Sequence, residues 1–117
     1  MHMQFCGQSL EEIAQGSERL EALRREDLRI GDIVFVKTRN SVYHILVKDE
    51  RTYEVSGGWF DQQGVAPAST TIAGCTWGGS IIKVDVVAAV GLSIEFGNRV
   101  TTSPVRRMFL LREGNNN

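Results

Sequence analysis

Cys75 and His44 are the two side chains whose types could form a nucleophile and its base. A cysteine attacks as its thiolate, which a nearby imidazole or cation favours by lowering the pKa of the thiol. No signature of a cysteine enzyme surrounds Cys75, and no spacing places His44 beside it. We expect a buried core cysteine and a protein that is not an enzyme, with a small cysteine-dependent enzyme kept as an alternative.

A dense group of hydrogen-bond donors lies at a predicted strand junction. Arg39, Asn40 and Ser41 are followed directly by Tyr43 and His44. Such a group could bind a phosphate, a carboxylate or the backbone of a partner. The simpler interpretation is a polar turn, in which Asn40 and Ser41 form hydrogen bonds with their own backbone. All five residues are candidates for ligand or partner binding.

Two large aromatic residues, Trp59 and Phe60, follow the glycine pair Gly57 and Gly58. They could line a pocket or a partner surface. They could equally fold back and fill one end of a small barrel. Both interpretations stay open, and both rings join the binding candidates.

Other chemistry has weaker support. Three carboxylates, Asp32, Asp85 and Glu95, are scattered over different predicted elements, so no acid and base pair is fixed. The chain has only two cysteines and two histidines, which makes a metal site unexpected, and no phosphate-binding loop or other cofactor motif is present.

Four arginines could form a basic strip for single-stranded nucleic acid, an alternative that the net charge of −1 disfavours. They are Arg99, Arg106, Arg107 and Arg112.

Length and composition predict one globular domain. The chain has 117 residues, of which 42% are hydrophobic and 23% charged. That size supports one core without a metal or a disulfide. No signal peptide and no apolar run long enough to span a membrane is evident, so we expect a cytoplasmic protein with reduced cysteines and no membrane partner.

The N-terminal region has a helical pattern. Ser9 and Glu12 have the spacing of a capping box, in which each side chain bonds the other's backbone N–H. Apolar residues then recur on approximately one helical face. They are Leu10, Ile13, Leu20 and Leu23. The predicted organisation is a tail at 1–8, an amphipathic helical segment at 9–28, a β domain at 29–112 and a disordered tail at 113–117.

After residue 28 the pattern changes to about seven short strands. Residues 33–37, 42–48 and 52–55 predict the first three, and a long loop is expected over 57–69. Two hairpins follow. Strands over 72–77 and 80–87 flank a turn at Gly78-Gly79, and strands over 92–96 and 99–102 flank a turn at Gly97-Asn98, which is predicted to be type II′. A last strand is predicted over Val105–Leu111. We expect a mainly β fold, a small antiparallel barrel or sandwich with an N-terminal helix.

Three segments resemble a recurring layout in small bacterial β-domain proteins of unassigned function. They are TRNSVY at 38–43, VSGG at 55–58 and TSPV at 102–105. The resemblance implies a β domain over roughly residues 28–111 and carries over no catalytic residue. The segment LRIGDIV at 28–34 also resembles the first strand of many SH3-like barrels, which makes such a barrel one of the expected architectures.

The leading functional hypothesis is a non-catalytic binding or assembly module. Its surface would combine the turn at 39–41 with the loop around Trp59 and Phe60. The predicted helix would pack on the β domain or on a second subunit, so a homodimer is plausible. A nucleic-acid-binding barrel and the enzyme using Cys75 and His44 are the alternatives.

Overall fold

The computed structural model describes residues 18–77 and 82–112. Within these ranges the chain forms eleven β-strands, one short α-helix and one 3-10 helix. The strands are β1 Glu18–Leu20, β2 Ala22–Arg24, β3 Ile33–Thr38, β4 Val42–Val47, β5 Tyr53–Gly57, β6 Ala68–Thr70, β7 Ile72–Thr76, β8 Ile82–Lys83, β9 Val86–Ala89, β10 Ser93–Phe96 and β11 Val105–Leu111. The α-helix, α1, spans Gly58–Gln62, and the 3-10 helix spans Arg25–Asp27.

The strands form three antiparallel sheets. The largest has six strands in the order β1-β11-β3-β4-β5-β6. A second sheet has the order β10-β7-β8, and β2 pairs with β9 in a third. The mainly β fold expected from the sequence is therefore confirmed.

Strand β3 lies near the middle of the large sheet and is buried on both faces. Its neighbours β11 and β4 bond both of its edges, and five of its six residues are buried. Side chains alternate along a strand, so Val34 and Val36 point to one face while Ile33 and Phe35 point to the other. A strand covered on both faces needs an almost continuous apolar run, which the sequence IVFVKT supplies.

The main core lies between the large sheet and the strands β7, β9 and β10. The large sheet contributes alternate residues of β3, β4, β5 and β11, and the smaller sheets contribute the facing apolar side chains. Fully buried members include Val36, Ile45, Val55, Met108, Cys75, Val87, Ile94 and Phe96.

A second cluster of apolar residues lies on the opposite face of the large sheet. Ile33, Phe35 and Phe109 are its buried members, and the partly buried Leu46 and Leu111 pack against them. We call these five residues the outer cluster. The strand register sets Phe109 opposite Phe35 and Leu111 opposite Ile33.

A partly buried ion pair joins the end of β11 to the start of β3. The Arg112 guanidinium lies 3.7 Å from the Asp32 carboxylate and donates a hydrogen bond to the backbone oxygen of Asp27. Asp32 also accepts the backbone N–H of Arg29 at 2.9 Å. Asp32 and Arg112 therefore have structural partners close to the start of β3.

The predicted helix over 9–28 is wrong for the residues that the structure describes. Residues 18–20 pair with β11, residues 22–24 pair with β9, and Arg25–Asp27 is a 3-10 helix. The spacing of Leu20 and Leu23 fits a helix, but the bend at Glu21 allows each leucine to pack from a separate strand. Pairing with the distant strands β11 and β9 has overridden the helical spacing of the leucines. Residues 9–17, with the capping box, lie outside the described residues.

Strand pairing among the described residues of the large sheet runs from β1 to β6 without joining them, so it does not show a closed barrel. Three finer expectations need correction. The predicted strand over 80–87 is interrupted at Val84 and Asp85, and the predicted loop over 57–69 contains α1. The hairpin after β10 exists, but Arg99 has the positive φ instead of Gly97, as in a three-residue loop. The Gly78-Gly79 turn lies outside the described residues.

Gly57 and Gly64 provide a matched test of how closely β5 approaches β4. Both have positive φ, but a Cβ on Gly57 would overlap the Val42 carbonyl oxygen, whereas no atom lies within 4 Å of one on Gly64. We expect Gly64→Ala to cost about 1 kcal/mol, the usual cost of a left-handed residue. We expect Gly57→Ala to cost roughly 3 kcal/mol or more, because backbone must also move. Urea denaturation measures both, and equal losses would contradict this packing.

Candidate functional site

The predicted polar turn at 39–41 joins β3 to β4 and uses its polar groups largely on itself. The Thr38 hydroxyl accepts the backbone N–H of Ser41 at 3.2 Å, and the Thr38 N–H donates to the Ser41 carbonyl at 2.8 Å. Arg39 and Asn40 are exposed. The turn is therefore stabilised by hydrogen bonds within itself, and it leaves the side chains of Arg39 and Asn40 on the surface.

Tyr43 and Phe60 lie in the main core and not on the surface. Their ring centroids are 6.3 Å apart, and the Phe96 ring lies 5.1 Å from Phe60 and 6.0 Å from Tyr43. All three side chains are buried. Of the two interpretations of Phe60, the one in which it fills the core is the one observed.

Helix α1, which carries Phe60, also carries Trp59 and holds it at the surface. The Trp59 backbone N–H donates to the Tyr43 hydroxyl at 3.4 Å, and its ring meets the Phe60 ring edge-on at a centroid distance of 5.2 Å. The Asp61 carboxylate accepts the Gly57 N–H at 2.9 Å and fixes the start of α1. Because Gly57 pairs with Tyr43, Trp59 and the turn at 39–41 lie at the same end of the large sheet.

His44 lies on the outer face of the large sheet. Its ring packs edge-on against Phe35 at a centroid distance of 5.5 Å, and its Nδ1 lies 3.5 Å from the Ser56 hydroxyl. Burial lowers the pKa of His44 from its ordinary value, and the negative charge of Asp61 opposes this in part. The folded protein therefore favours the neutral imidazole.

Cys75 lies in the main core, on the other side of the large sheet from His44. Side chains alternate along β4, so Tyr43 and Ile45 face Cys75 in the main core while His44 faces away. Burial raises the pKa of the Cys75 thiol to about 11. The predicted pair of thiol and imidazole is not formed.

One concave surface among the described residues was not indicated by the sequence. It is an open groove of about 630 Å³ beside β2, the 3-10 helix and the loop between β4 and β5. Buried Val47 and Tyr53 lie at its base, and the apolar side chains of Ile30 and Val84 line it while being 70% and 65% exposed. Its charged lining residues are Arg24, Arg25, Glu26, Asp49, Glu50, Arg51 and Asp85.

Arg25 fixes one wall of the groove. Its guanidinium donates to the carbonyl oxygen of Val84 at 2.6 Å, to that of Ile72 at 3.0 Å and to the Tyr53 hydroxyl at 3.3 Å. One side chain thereby connects the 3-10 helix with the turn after β8, with the start of β7 and with β5. The wall is formed before any ligand arrives.

Further contacts hold several of the other charged groups of the groove. The Arg24 guanidinium lies 2.9 Å from the Asp85 carboxylate and 3.5 Å from that of Glu26. The Asp49 carboxylate accepts the backbone N–H groups of Arg51 and Thr52, and these bonds lower the pKa of Asp49. The groove therefore combines apolar surface with charged side chains, of which Arg24, Arg25, Glu26, Asp49 and Asp85 are bonded within the chain.

Sequence reasoning missed the groove because it placed Arg24 and Arg25 in an amphipathic helix over 9–28. The contacts that form the groove join residues about 60 positions apart, such as Arg24 and Asp85. The structure also has a turn at Val84 and Asp85, where the sequence predicted a continuous strand over 80–87. This turn leaves Val84 exposed and brings its carbonyl oxygen to the Arg25 guanidinium.

The four arginines of the predicted basic strip differ in their surroundings. Arg112 bonds the Asp27 backbone oxygen and lies beside the Asp32 carboxylate, whereas Arg99 and Arg106 are exposed and Arg107 is partly buried. The described part of the chain has no group of three His, Cys, Asp or Glu residues able to hold a metal ion. None of its helices is long and apolar enough to cross a membrane.

Comparison with protein-family models, with curated protein sequences and with solved structures finds no match for this chain. The function is therefore argued from the geometry of its own residues. Three places bear on it: the buried Cys75, the surface around Arg39 and Trp59, and the groove.

Cys75 is expected to be a poor nucleophile in the folded protein. With its pKa raised to about 11, its thiolate fraction at pH 8 should be roughly a hundredfold lower than that of an unperturbed thiol. In a Cys6→Ser variant, we expect iodoacetamide to modify Cys75 about a hundredfold faster in urea than in buffer. Mass spectrometry measures both rates, and equal rates would show an accessible, ordinary thiol.

His44 should make the stability of the protein depend on pH. Its pKa is lowered in the folded state, so its stabilising contribution is fully present above the unfolded value and is lost as pH falls through 6.5 toward the folded value. We expect the free energy of unfolding to fall less between pH 8 and pH 5 in His44→Gln than in the wild type. Urea titrations at the two pH values test this, and identical losses would contradict a burial-shifted His44.

Proposed function

We propose that this chain is a non-catalytic protein-binding module that holds an extended, apolar segment of a partner in the groove. The observation that carries the proposal is the exposure of Ile30 and Val84 at a groove whose charged wall is already bonded within the chain. A site that is ordered before binding loses little conformational entropy when the ligand arrives. Apolar side chains of the partner would then gain by leaving water.

The size and charge of the groove favour a protein segment over a nucleic acid. Its volume of about 630 Å³ suits several side chains of an extended peptide. Four acidic residues line it beside three arginines, and a phosphate backbone would meet their negative charges.

The separation of Cys75 from His44 supports a binding role over the cysteine-enzyme alternative. A nucleophile and its base need to come within hydrogen-bond reach of each other. These two side chains lie on opposite faces of the large sheet. The proposal keeps the predicted cytoplasmic location, which a free thiol at Cys75 suits.

A second surface for the same function is the end of the large sheet, as the sequence predicted. There Trp59, which is 36% exposed, lies at the same end as the exposed Arg39 and Asn40. An exposed tryptophan beside an arginine is a common combination at protein interfaces. The two surfaces are separate, because the loop between β4 and β5 at the groove is at the opposite end of β4.

Peptide selection followed by calorimetry tests the groove. Random peptides displayed on phage would be selected on the full chain, and the affinity of a selected peptide measured for single variants. We expect Ile30→Asp and Val84→Asp each to weaken binding by about tenfold or more, because a lost apolar contact costs roughly 1.5 kcal/mol. Val65→Asp is the matched control, since Val65 is also exposed but does not line the groove.

A different pattern of losses would contradict binding of the partner in the groove. Binding unchanged by Ile30→Asp and Val84→Asp, but weakened about tenfold by Trp59→Ala or Arg39→Ala, would assign the partner to the end of the sheet. Circular dichroism of each variant would confirm that the β fold is retained.

A further inference from the structure

The charges along the groove are not balanced. Four carboxylates line it beside three guanidinium groups, so the formal charge of the lining is negative by one unit. This excess lies at the same surface where Ile30 and Val84 expose their apolar side chains. A partner that fits the groove should therefore complement its charge as well as its apolar surface.

The two arginines on the β2 side of the groove already have acceptors. The Arg24 guanidinium lies 2.9 Å from the Asp85 carboxylate and 3.5 Å from that of Glu26. The Arg25 guanidinium donates to two carbonyl oxygens and to a tyrosine hydroxyl. A carboxylate of a partner would have to compete with these acceptors for the same N–H groups. This side of the groove therefore does not favour an acidic partner.

The loop between β4 and β5 carries two carboxylates on an ordered turn. The Lys48 N–H donates to the Thr52 carbonyl at 2.9 Å. The Asp49 carboxylate accepts two backbone N–H groups of the same turn, at 2.9 and 2.8 Å, and these bonds lower its pKa and keep it ionised. Glu50 is exposed, and its carboxylate has no bond to a described residue. We call Asp49 and Glu50 the acidic tip.

The acidic tip suits an organic cation better than a metal ion. Two carboxylates supply fewer oxygen ligands than a divalent ion usually takes, and the described residues contain no group of three acidic, His or Cys side chains that could hold one. Arg51 follows the acidic tip and is exposed, but its single charge offsets only one of the two carboxylates. A lysine or arginine of a partner can form a charge-assisted hydrogen bond with the tip.

The acidic tip lies close to the apolar part of the groove. The Gly31 N–H donates to the Val47 carbonyl at 2.9 Å, so Ile30 lies beside the end of β4. Glu50 follows Val47 by three residues, which span at most about 11 Å of extended chain. An extended partner covers that distance with about three of its own residues.

We infer that the partner segment carries a lysine or arginine within about three residues of an apolar anchor, and that this side chain binds the acidic tip. The inference rests on the groove being the binding site, as proposed above, and adds the charge of the partner to that proposal. The anchor would pack against Ile30 and Val84. Because an exposed ion pair adds little affinity, its main effect is to select among apolar segments.

Peptides selected from a random phage library on the full chain are the probe for this inference. Those whose binding is weakened by Ile30→Asp are groove ligands, and we expect each to carry a lysine or arginine near an apolar residue. Replacing that basic residue by glutamine in a synthetic copy should weaken binding to the wild type about fivefold. The same replacement should weaken binding to the double variant Asp49→Asn/Glu50→Gln about twofold or less, because the cation has lost its site.

Substitutions in the loop test the acidic tip from the side of the protein. Glu50→Gln removes one charge, and Asp49→Asn removes the other while keeping an oxygen that can accept the two backbone N–H groups. We expect calorimetry to show about threefold weaker binding for Glu50→Gln and about fivefold for the double variant. Glu95→Gln is the matched control, because Glu95 lies on β10 and does not line the groove. Arg51→Gln removes a competing cation and should strengthen binding about twofold.

Three results would overturn the inference, and they differ in what they say of the groove. Binding that Ile30→Asp weakens but the double variant leaves unchanged would keep the groove and remove the basic residue. Binding that Arg51→Gln weakens and Glu50→Gln strengthens would assign an acidic segment to the groove. Binding that Ile30→Asp leaves unchanged would overturn both the groove and the inference. The substituted peptide supplies its own reading on the wild type if a protein variant is unstable.

Discussion

The burial of β3 on both of its faces is the constraint on which the rest of the structure depends. A strand with Val34 and Val36 on one side and Ile33 and Phe35 on the other must be covered twice. The first cover is the layer of β7, β9 and β10, which completes the main core. On the other face, Ile33 and Phe35 pack with Phe109, Leu46 and Leu111 in the outer cluster.

Arg25 connects this architecture to the proposed function. The smaller sheets must be fixed against the large one, and the Arg25 guanidinium does so through carbonyl oxygens of Ile72 and Val84 and the hydroxyl of Tyr53. The same contacts shape the wall of the groove and leave Val84 exposed. The groove is thus a consequence of how the layers are joined, and its rigidity follows from that cause.

The parts of the fold that depend on local sequence were predictable. The strand Val105–Leu111 was found with its observed bounds, because a β-branched and apolar run between turn residues has few other solutions. Residues 18–24 were misread because the spacing of Leu20 and Leu23 fits a helix, whereas residues 18–20 pair with β11 and residues 22–24 pair with β9. A pattern within one segment cannot reveal partners that lie more than 60 positions away.

The candidate site also has some features that the sequence could predict and others that it could not. The alternation of apolar residues along β4 already separates His44 from the main core, so its distance from Cys75 could have been derived from the sequence. The exposure of Trp59 and the burial of Phe60 could not, because α1 lies in a segment expected to be a loop. The groove needed contacts between Arg24 and Asp85 that no local pattern predicts.

The central claim, that the groove beside β2 binds an extended apolar segment of a partner, is tested most directly by NMR chemical-shift mapping with a peptide selected on the full chain. The account predicts that the methyl resonances of Ile30 and Val84, which line the groove, shift when the peptide is added. Shifts confined to the residues around Trp59 and Arg39, at the other end of β4, would contradict it.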